Sequence, residues 1–177
     1  MMINSNKSNC LRIGHQALIS NAMLFKLVTR CRVSIEWVTS CRYLGVLLIS
    51  GPWFKCRFHA AKAKFYKAFN AIKGKVGRIA SQEVTLTLVK SKGAPTLLYC
   101  LEVCPFNTKD IKSLENSTTC ALFKIFQTNS NEIIEECKRS FDVKPLSDIV
   151  AVRKLTFLQR YTGSTNTICR AINIMCI

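Results

Sequence analysis

The sequence predicts an α+β protein that is mainly α, with a short N-terminal β-hairpin sheet followed by an irregular bundle of about five helices. Branched and aromatic residues concentrate in "VSIEWVTSCRYLGVLLIS", just before Gly51 and Pro52. After these two residues, apolar side chains return every three or four positions, which is the period of a helix. Of the 177 residues, 49% are apolar and 20% are charged, a composition typical of a folded domain.

Residues 1–53 are predicted to be the β segment. The stretch quoted above contains two apolar segments on either side of Thr39 and Ser40, so we predict a hairpin whose turn lies there. The tetrapeptide "CLRI", which ends before Gly14, predicts a further strand. Gly51 and Pro52 end the β segment, because these residues interrupt regular structure.

Residues 54–161 are predicted to be a helical region, and its first helix runs from Lys55 to Arg78. Phe65 and Phe69 lie at helical spacing within it, which is more typical of core residues than of a platform for stacked bases. Each later helix begins at a residue that suits a helix N-terminus: Ser81, Thr108, Ser130 and Pro145.

These later helices also have predicted ends. Gly93 and Pro95 are expected to stop the helix that Ser81 begins, and the last helix runs to Tyr161 with Phe157 and Leu158 inward. Residues 162–177 are predicted to be an unstructured tail.

Positive charge is concentrated in the first half of the chain. The formal net charge is +16; residues 1–80 contain fourteen Lys or Arg and one acid, whereas residues 81–177 contain twelve and nine. The first part therefore carries +13 and the second +3. Such an excess indicates a polyanionic partner, either a nucleic acid or an anionic membrane surface.

The segment Phe54–Ala80 holds eight Lys or Arg and no acid. At about 100° per residue, five of these cations fall on one side of a helix, within about 60° of Lys64. We call them the predicted basic row: Arg57, Lys64, Lys67, Lys75 and Arg78. Such a row could follow a phosphate backbone. The alternative, that the cations only keep an apolar helix in solution, stays open at this point.

Catalytic and metal-binding patterns are absent from the sequence. Its three aspartates, Asp110, Asp142 and Asp148, are not clustered as two-metal phosphoryl chemistry requires. The ten cysteines include no CxxC pair, and neither histidine lies at zinc-ligand spacing from a cysteine. We therefore expect reduced cysteines, no metal site, no cofactor and no activity of the chain as an enzyme on its own.

No apolar run approaches the roughly 18 residues of a membrane span. The N-terminus lacks the apolar region of a signal peptide, so we expect an intracellular protein, nuclear or cytoplasmic, with no membrane partner. The sequence does not define an oligomeric state.

An ordered set of segments gives the chain a family resemblance. These are "NKSNCLRIG", "IEWVTSCRYLGV", "FKCRFHAAKAKFYKAFNAIKGKVGRIASQEV", "LVKSKGAPTLLYCLEVCP", "LFKIFQTNSNEIIEEC" and "VRKLTFLQRY". Together they resemble the end of the reverse transcriptase of LINE-like non-LTR retrotransposons, over roughly residues 4–161. The resemblance implies that residues 1–53 are the end of the palm and that 54–161 are thumb-like.

The resemblance also implies roles for individual residues. Lys7 matches the lysine of the late palm motif, and Tyr43, Leu44 and Gly45 match the strand pair that holds the primer end. The catalytic carboxylates of the family are missing, because no Asp-Asp pair occurs in the chain. The expected function is an inactive polymerase fragment that binds primer–template duplex, RNA or DNA, without sequence specificity. The alternative is a vestigial or interaction-only helical protein.

Overall fold

In the computed structural model the chain forms two compact units, Met1–Ala60 and Ala61–Ile177, which we call unit 1 and unit 2. The structure describes residues 4, 7–14, 27–28, 34–77, 79–167 and 169. The predicted fold class, α+β and mainly α, is confirmed. Most of the predicted tail lies outside the described residues, and the predicted division at residues 53 and 54 stays a prediction.

The described residues of unit 1 form two three-stranded sheets. The strands are β1 (Asn9–Leu11), β2 (Leu27–Val28), β3 (Ser34–Val38), β4 (Ser40–Tyr43), β5 (Val46–Ile49) and β6 (Lys55–Arg57). In the first sheet β3 is central, parallel to β1 and antiparallel to β2. In the second sheet β5 is central and antiparallel to both β4 and β6. The strand predicted at "CLRI" is therefore present as β1.

The predicted position of the hairpin turn, at Thr39 and Ser40, was wrong. The strands on either side of these residues belong to different sheets, and the hairpin joins β4 to β5 through Leu44 and Gly45. Both turn residues have positive φ angles, 46° and 85°. A two-residue hairpin turn of this kind matches the twist of the strands and favours glycine, whereas Thr39 is β-branched and resists positive φ.

The helices are α1 (His59–Val76), α2 (Gln82–Leu88), α3 (Ala94–Leu97), α4 (Thr108–Phe126), α5 (Asn131–Ser140) and α6 (Leu146–Thr162). A π-helical segment, Val89–Gly93, joins α2 directly to α3. The predicted helix end at Gly93 and Pro95 was therefore wrong. In the π segment the N–H of Ala94 bonds to the carbonyl of Val89. This wider turn lets the helix continue past Pro95, which lacks an N–H and lies in the first turn of α3.

The predicted first helix begins later than expected. Residues 55–57 pair with β5 as strand β6, with Lys55 opposite Ile49 and Arg57 opposite Leu47. The helix α1 starts at His59. A segment as short as Lys-Cys-Arg fits a helical or an alternating pattern equally well, so its partner strand decides its conformation.

The core lies in unit 2. Phe65 and Phe69 of α1 are 1% and 0% exposed, and their rings stack with centroids 6.4 Å apart, so their predicted place in the core is confirmed. The other side chains that are less than 2% exposed and largest in volume are Leu97, Leu101, Leu114, Ile134 and Val150. Leu158 of α6 was predicted to point inward but is 44% exposed, whereas Phe157 is half-buried.

Side-chain caps fix where two of these helices begin. The hydroxyl of Ser81 accepts a hydrogen bond from the N–H of Val84, as its predicted capping role requires. Asn107, and not the predicted Thr108, caps α4: its side chain accepts from the N–H of Asp110 at 2.8 Å, and the Asp110 carboxylate accepts from the N–H of Asn107 at 3.1 Å. This reciprocal pair satisfies two N–H groups that the helix leaves unpaired.

Candidate nucleic-acid interface

Three lysines of α1 form an exposed cationic surface, which we call the α1 lysine face: Lys64, Lys67 and Lys75. Relative to Lys64, helical geometry places Lys67 about 60° to one side and Lys75 about 20° to the other. The three residues span roughly 16 Å along the helix axis. The buried rings of Phe65 and Phe69 lie on a different side of the helix, so the same helix packs into the core and presents its lysines outward.

The residues between these lysines are small. The other exposed positions on this side of α1 are Ala63, Asn70, Ala71 and Gly74. None of them carries a side chain longer than that of asparagine, so no bulky group stands between the lysines and a large ligand. Phe65 and Phe69 are buried and Tyr66 is half-buried, so no Phe, Tyr or Trp side chain is exposed on α1.

The α1 lysine face has no internal counter-charge. Helix α1 contains no acidic residue. Among the residues that the structure describes, one ion pair occurs, between Lys138 and Glu135 of α5 at 2.7 Å. None of the three lysines forms a hydrogen bond or ion pair within the described part of the chain. Their charge is therefore available to an external anion.

Two other lysines of α1 are used within the fold. The ammonium of Lys62 donates to the Ser113 hydroxyl, and that of Lys73 donates to the backbone carbonyl of Lys124, both at 2.8 Å. Both bonds join α1 to α4. Lys124 lies in the last turn of α4, where carbonyl groups lack a partner within the helix. The lysines of α1 thus divide into a pair that binds α4 and three that face outward.

The predicted basic row is only partly assembled on this helix. Lys64, Lys67 and Lys75 lie together on α1, as predicted. Arg57 is exposed but belongs to β6 in unit 1, so its predicted position on the helix was wrong. Arg78 lies outside the described residues.

The residues chosen by resemblance lie in unit 1. Tyr43 and Leu44, 64% and 68% exposed, form the tip of the β4–β5 hairpin together with Gly45. Lys7 is exposed, and its N–H donates to the Asn4 carbonyl at 3.1 Å. The resemblance implied a strand pair at this place, and its role in holding a primer end stays a prediction.

Two cations of unit 1 were missed by the sequence reasoning. Arg42 of β4 and Lys55 of β6 are exposed and share a sheet with Arg57. For Lys55 the signal was the alternation in "KCR", a segment that the prediction placed in the first helix.

Among the described residues, no group of three or more His, Cys, Asp or Glu side chains could hold a metal ion. No helix within the described ranges is long and apolar enough to cross a membrane.

Tyr99, which is not part of the α1 lysine face, has a raised pKa. The cause is a hydrogen bond with Cys100, together with the nearby charges of Cys100 and Glu102.

Comparisons of the chain with protein-family models, with curated proteins and with solved structures give no match. The resemblance to reverse transcriptases therefore rests on the sequence segments quoted above.

Proposed function

We propose that the chain binds the phosphate backbone of a nucleic-acid duplex, RNA or DNA, through the α1 lysine face and without sequence specificity. One observation carries the proposal: Lys64, Lys67 and Lys75 are exposed on one side of a helix that has no acid, whereas Lys62 and Lys73 of the same helix bond to α4. Lys64, Lys67 and Lys75 therefore remain able to contact an external anion.

Charge and shape both support a duplex as the ligand. Lysine ammonium groups neutralise phosphates and release condensed counterions, which is the main source of non-specific affinity. The small residues between the lysines let a broad backbone approach the helix. No Phe, Tyr or Trp side chain is exposed on α1, so a ligand that presents paired bases and a continuous phosphate backbone fits it best.

The proposal includes an origin. By its resemblance, the chain derives from the end of the palm and the thumb of a LINE-like reverse transcriptase. We propose that the chain is intracellular. Tyr43, Leu44 and Gly45 would contact the primer end, and Lys7 would belong to the late palm motif. The Asp-Asp pair of the family is missing from the sequence, so the chain would bind duplex without extending it.

The test is a titration of the purified chain against a short fluorescent duplex at several salt concentrations. We expect affinity to fall linearly on a log–log plot, with a slope of about −2.7 if three lysines each contact a phosphate. Unrelated duplex sequences should bind equally well. A salt-independent affinity, or no binding at low salt, would refute the proposal.

A second candidate function, protein–protein interaction without nucleic acid, is favoured by α6. Its apolar residues Val152, Leu155 and Leu158 are 63%, 61% and 44% exposed. An apolar helix face of this kind is typical of a surface that another protein covers. The same titration distinguishes the two functions, because this candidate predicts no binding to the duplex.

A further inference from the structure

The sheet β4–β5–β6 brings together three cations that are separated in the sequence. Arg42, Leu47 and Arg57 are directly opposite one another across the three strands. Opposite residues lie on the same face, so the two arginines flank Leu47, with backbones about 10 Å apart. Lys55 lies two residues before Arg57 in β6 and shares that face, about 7 Å away. We call Arg42, Lys55 and Arg57 the sheet cation face.

Nothing in this sheet neutralises that charge. All three side chains are exposed, and residues 40–57 include no acid. The single acid of unit 1, Glu36, lies in the other sheet, on β3. None of the three cations forms an ion pair or hydrogen bond within the described part of the chain. The sheet cation face, like the α1 lysine face, is therefore able to contact an external anion.

Two exposed aromatic side chains lie in the segment just before strand β6. Trp53 and Phe54 directly precede Lys55 and are 63% and 40% exposed. Exposed aromatic rings beside cations are the features with which proteins bind single-stranded nucleic acids, because unpaired bases stack on the rings while phosphates contact the cations. A duplex hides its base faces and gains nothing from the rings.

We propose that the sheet β4–β5–β6 binds a single-stranded nucleic acid, with phosphates on Arg42, Lys55 and Arg57 and unpaired bases stacked on Trp53 and Phe54. This inference extends the proposed nucleic-acid binding. It rests on that proposal, because both require a polyanionic partner. The chain would then hold duplex on α1 and an unpaired strand on this sheet.

Tryptophan fluorescence provides a direct test in the full chain. The sequence has two tryptophans, Trp37 and Trp53, so Trp37→Phe leaves Trp53 as the single indole reporter. Titration with oligothymidylate, followed by the anisotropy of a label on the oligonucleotide, measures binding independently. We expect binding to quench the Trp53 emission, because a stacked base contacts the indole. Binding without quenching would refute the stacking role.

Substitutions then test the residues one class at a time. Phe54→Leu keeps an apolar side chain but removes the ring, and should weaken single-strand binding by about 5- to 150-fold if one base stacks there. Arg42→Gln combined with Arg57→Gln should reduce the log–log salt slope by about 1.4, since each contact to a single strand contributes about 0.7. Tyr99→Leu, which removes an exposed ring of unit 2, is the matched control and should change neither quantity.

The outcomes separate this inference from the proposed function. The Arg42 and Arg57 double variant should keep its affinity for duplex, and Lys64→Gln with Lys67→Gln should keep its affinity for oligothymidylate. If duplex binds and oligothymidylate does not, this inference is wrong and the role of α1 stands. If oligothymidylate binding is lost in the α1 variant but not in the sheet variant, this inference is again wrong. If neither ligand binds, both proposals are wrong.

Discussion

At the scale of single residues, similar side chains have different roles that depend on what they contact. Lys62 and Lys64 are two positions apart, yet the first donates to Ser113 of α4 and the second is exposed without a partner among the described residues. Asn107 and Ser130 show the same contrast at helix starts. Asn107 forms both hydrogen bonds of a capping box, whereas the Ser130 side chain makes no capping bond.

Replacing Asn107 with Ala should lower the free energy of unfolding by about 1 kcal/mol, because it removes the side-chain acceptor that caps α4. Urea denaturation followed by circular dichroism measures this change. Ser130→Ala is the matched control and should lower the free energy of unfolding clearly less, since the hydroxyl of Ser130 caps no N–H group of α5. Equal losses in the two variants would contradict the capping role of Asn107.

At the scale of elements, the glycines near the end of α1 define where the helix can be altered. A Cβ built on Gly74 meets nothing within 4 Å, whereas one on Gly77 would lie 2.5 Å from the carbonyl oxygen of Lys73. Gly74 lies inside the helix and Gly77 follows its last residue. Gly74 therefore weakens the helix although a larger residue would fit there. At Gly77 a larger residue would clash with the backbone of Lys73.

Gly74→Ala should raise the free energy of unfolding by about 0.5–1 kcal/mol, because alanine loses less backbone entropy in a helix than glycine. Gly77→Ala should lower it by more than about 1 kcal/mol, because the backbone must shift to relieve the contact with Lys73. Thermal and urea denaturation of both variants measure the two effects. A stabilised Gly77→Ala protein would contradict the steric contact between position 77 and the carbonyl oxygen of Lys73.

The spacing of apolar residues predicted a helix correctly where the helical period continues over a long segment. The eighteen residues of α1 place Phe65 and Phe69 inward, and Ser81 caps its helix as its position indicates. Short segments were predicted less well, because their conformation depends on distant partners. Strand β6 has three residues and is defined by its pairing with β5.

The division of the α1 lysines could not be read from the sequence either. Lys62 and Lys73 each bond to a residue 51 positions away in α4. A helical wheel describes one helix and contains no information about its neighbour.

At the scale of the whole molecule, the two units differ in how they are stabilised. The core side chains that are nearly inaccessible to solvent all belong to unit 2. In unit 1 no residue within 7–14 or 34–57 is buried, and the apolar strand Val46–Ile49 is only half-buried. Burial of apolar surface is the main favourable term in folding, so the described part of unit 2 accounts for most of the stability expected of the chain.

The whole chain should incorporate no nucleotide on a primed RNA template in the presence of magnesium or manganese. The reason is chemical: two-metal phosphoryl transfer needs clustered carboxylates, and the sequence has three aspartates, none adjacent to another. A primer-extension assay measures incorporation, with an active reverse transcriptase as the positive control. Template-dependent extension by the purified chain, free of contaminating polymerase, would contradict the prediction.

The central claim, that the α1 lysine face binds phosphates, is tested most directly by the salt dependence of duplex binding. Lys64→Gln with Lys67→Gln should reduce the magnitude of the log–log slope by about 1.8, equally for unrelated duplex sequences. Glutamine keeps most of the helix propensity of lysine, so circular dichroism should be unchanged. Lys62→Gln with Lys73→Gln is the matched control: it removes the same charge from the same helix, but from lysines that bond to α4.

We expect a slope of smaller magnitude in the Lys64 and Lys67 double variant and a nearly unchanged slope in the Lys62 and Lys73 double variant. An unchanged slope in the first variant, or an equal reduction in both, would contradict this expectation. An unchanged slope in the first variant would leave the lysines of α1 with the role of keeping the helix in solution, whereas an equal reduction in both would show that the lysines bonded to α4 bind phosphates as well.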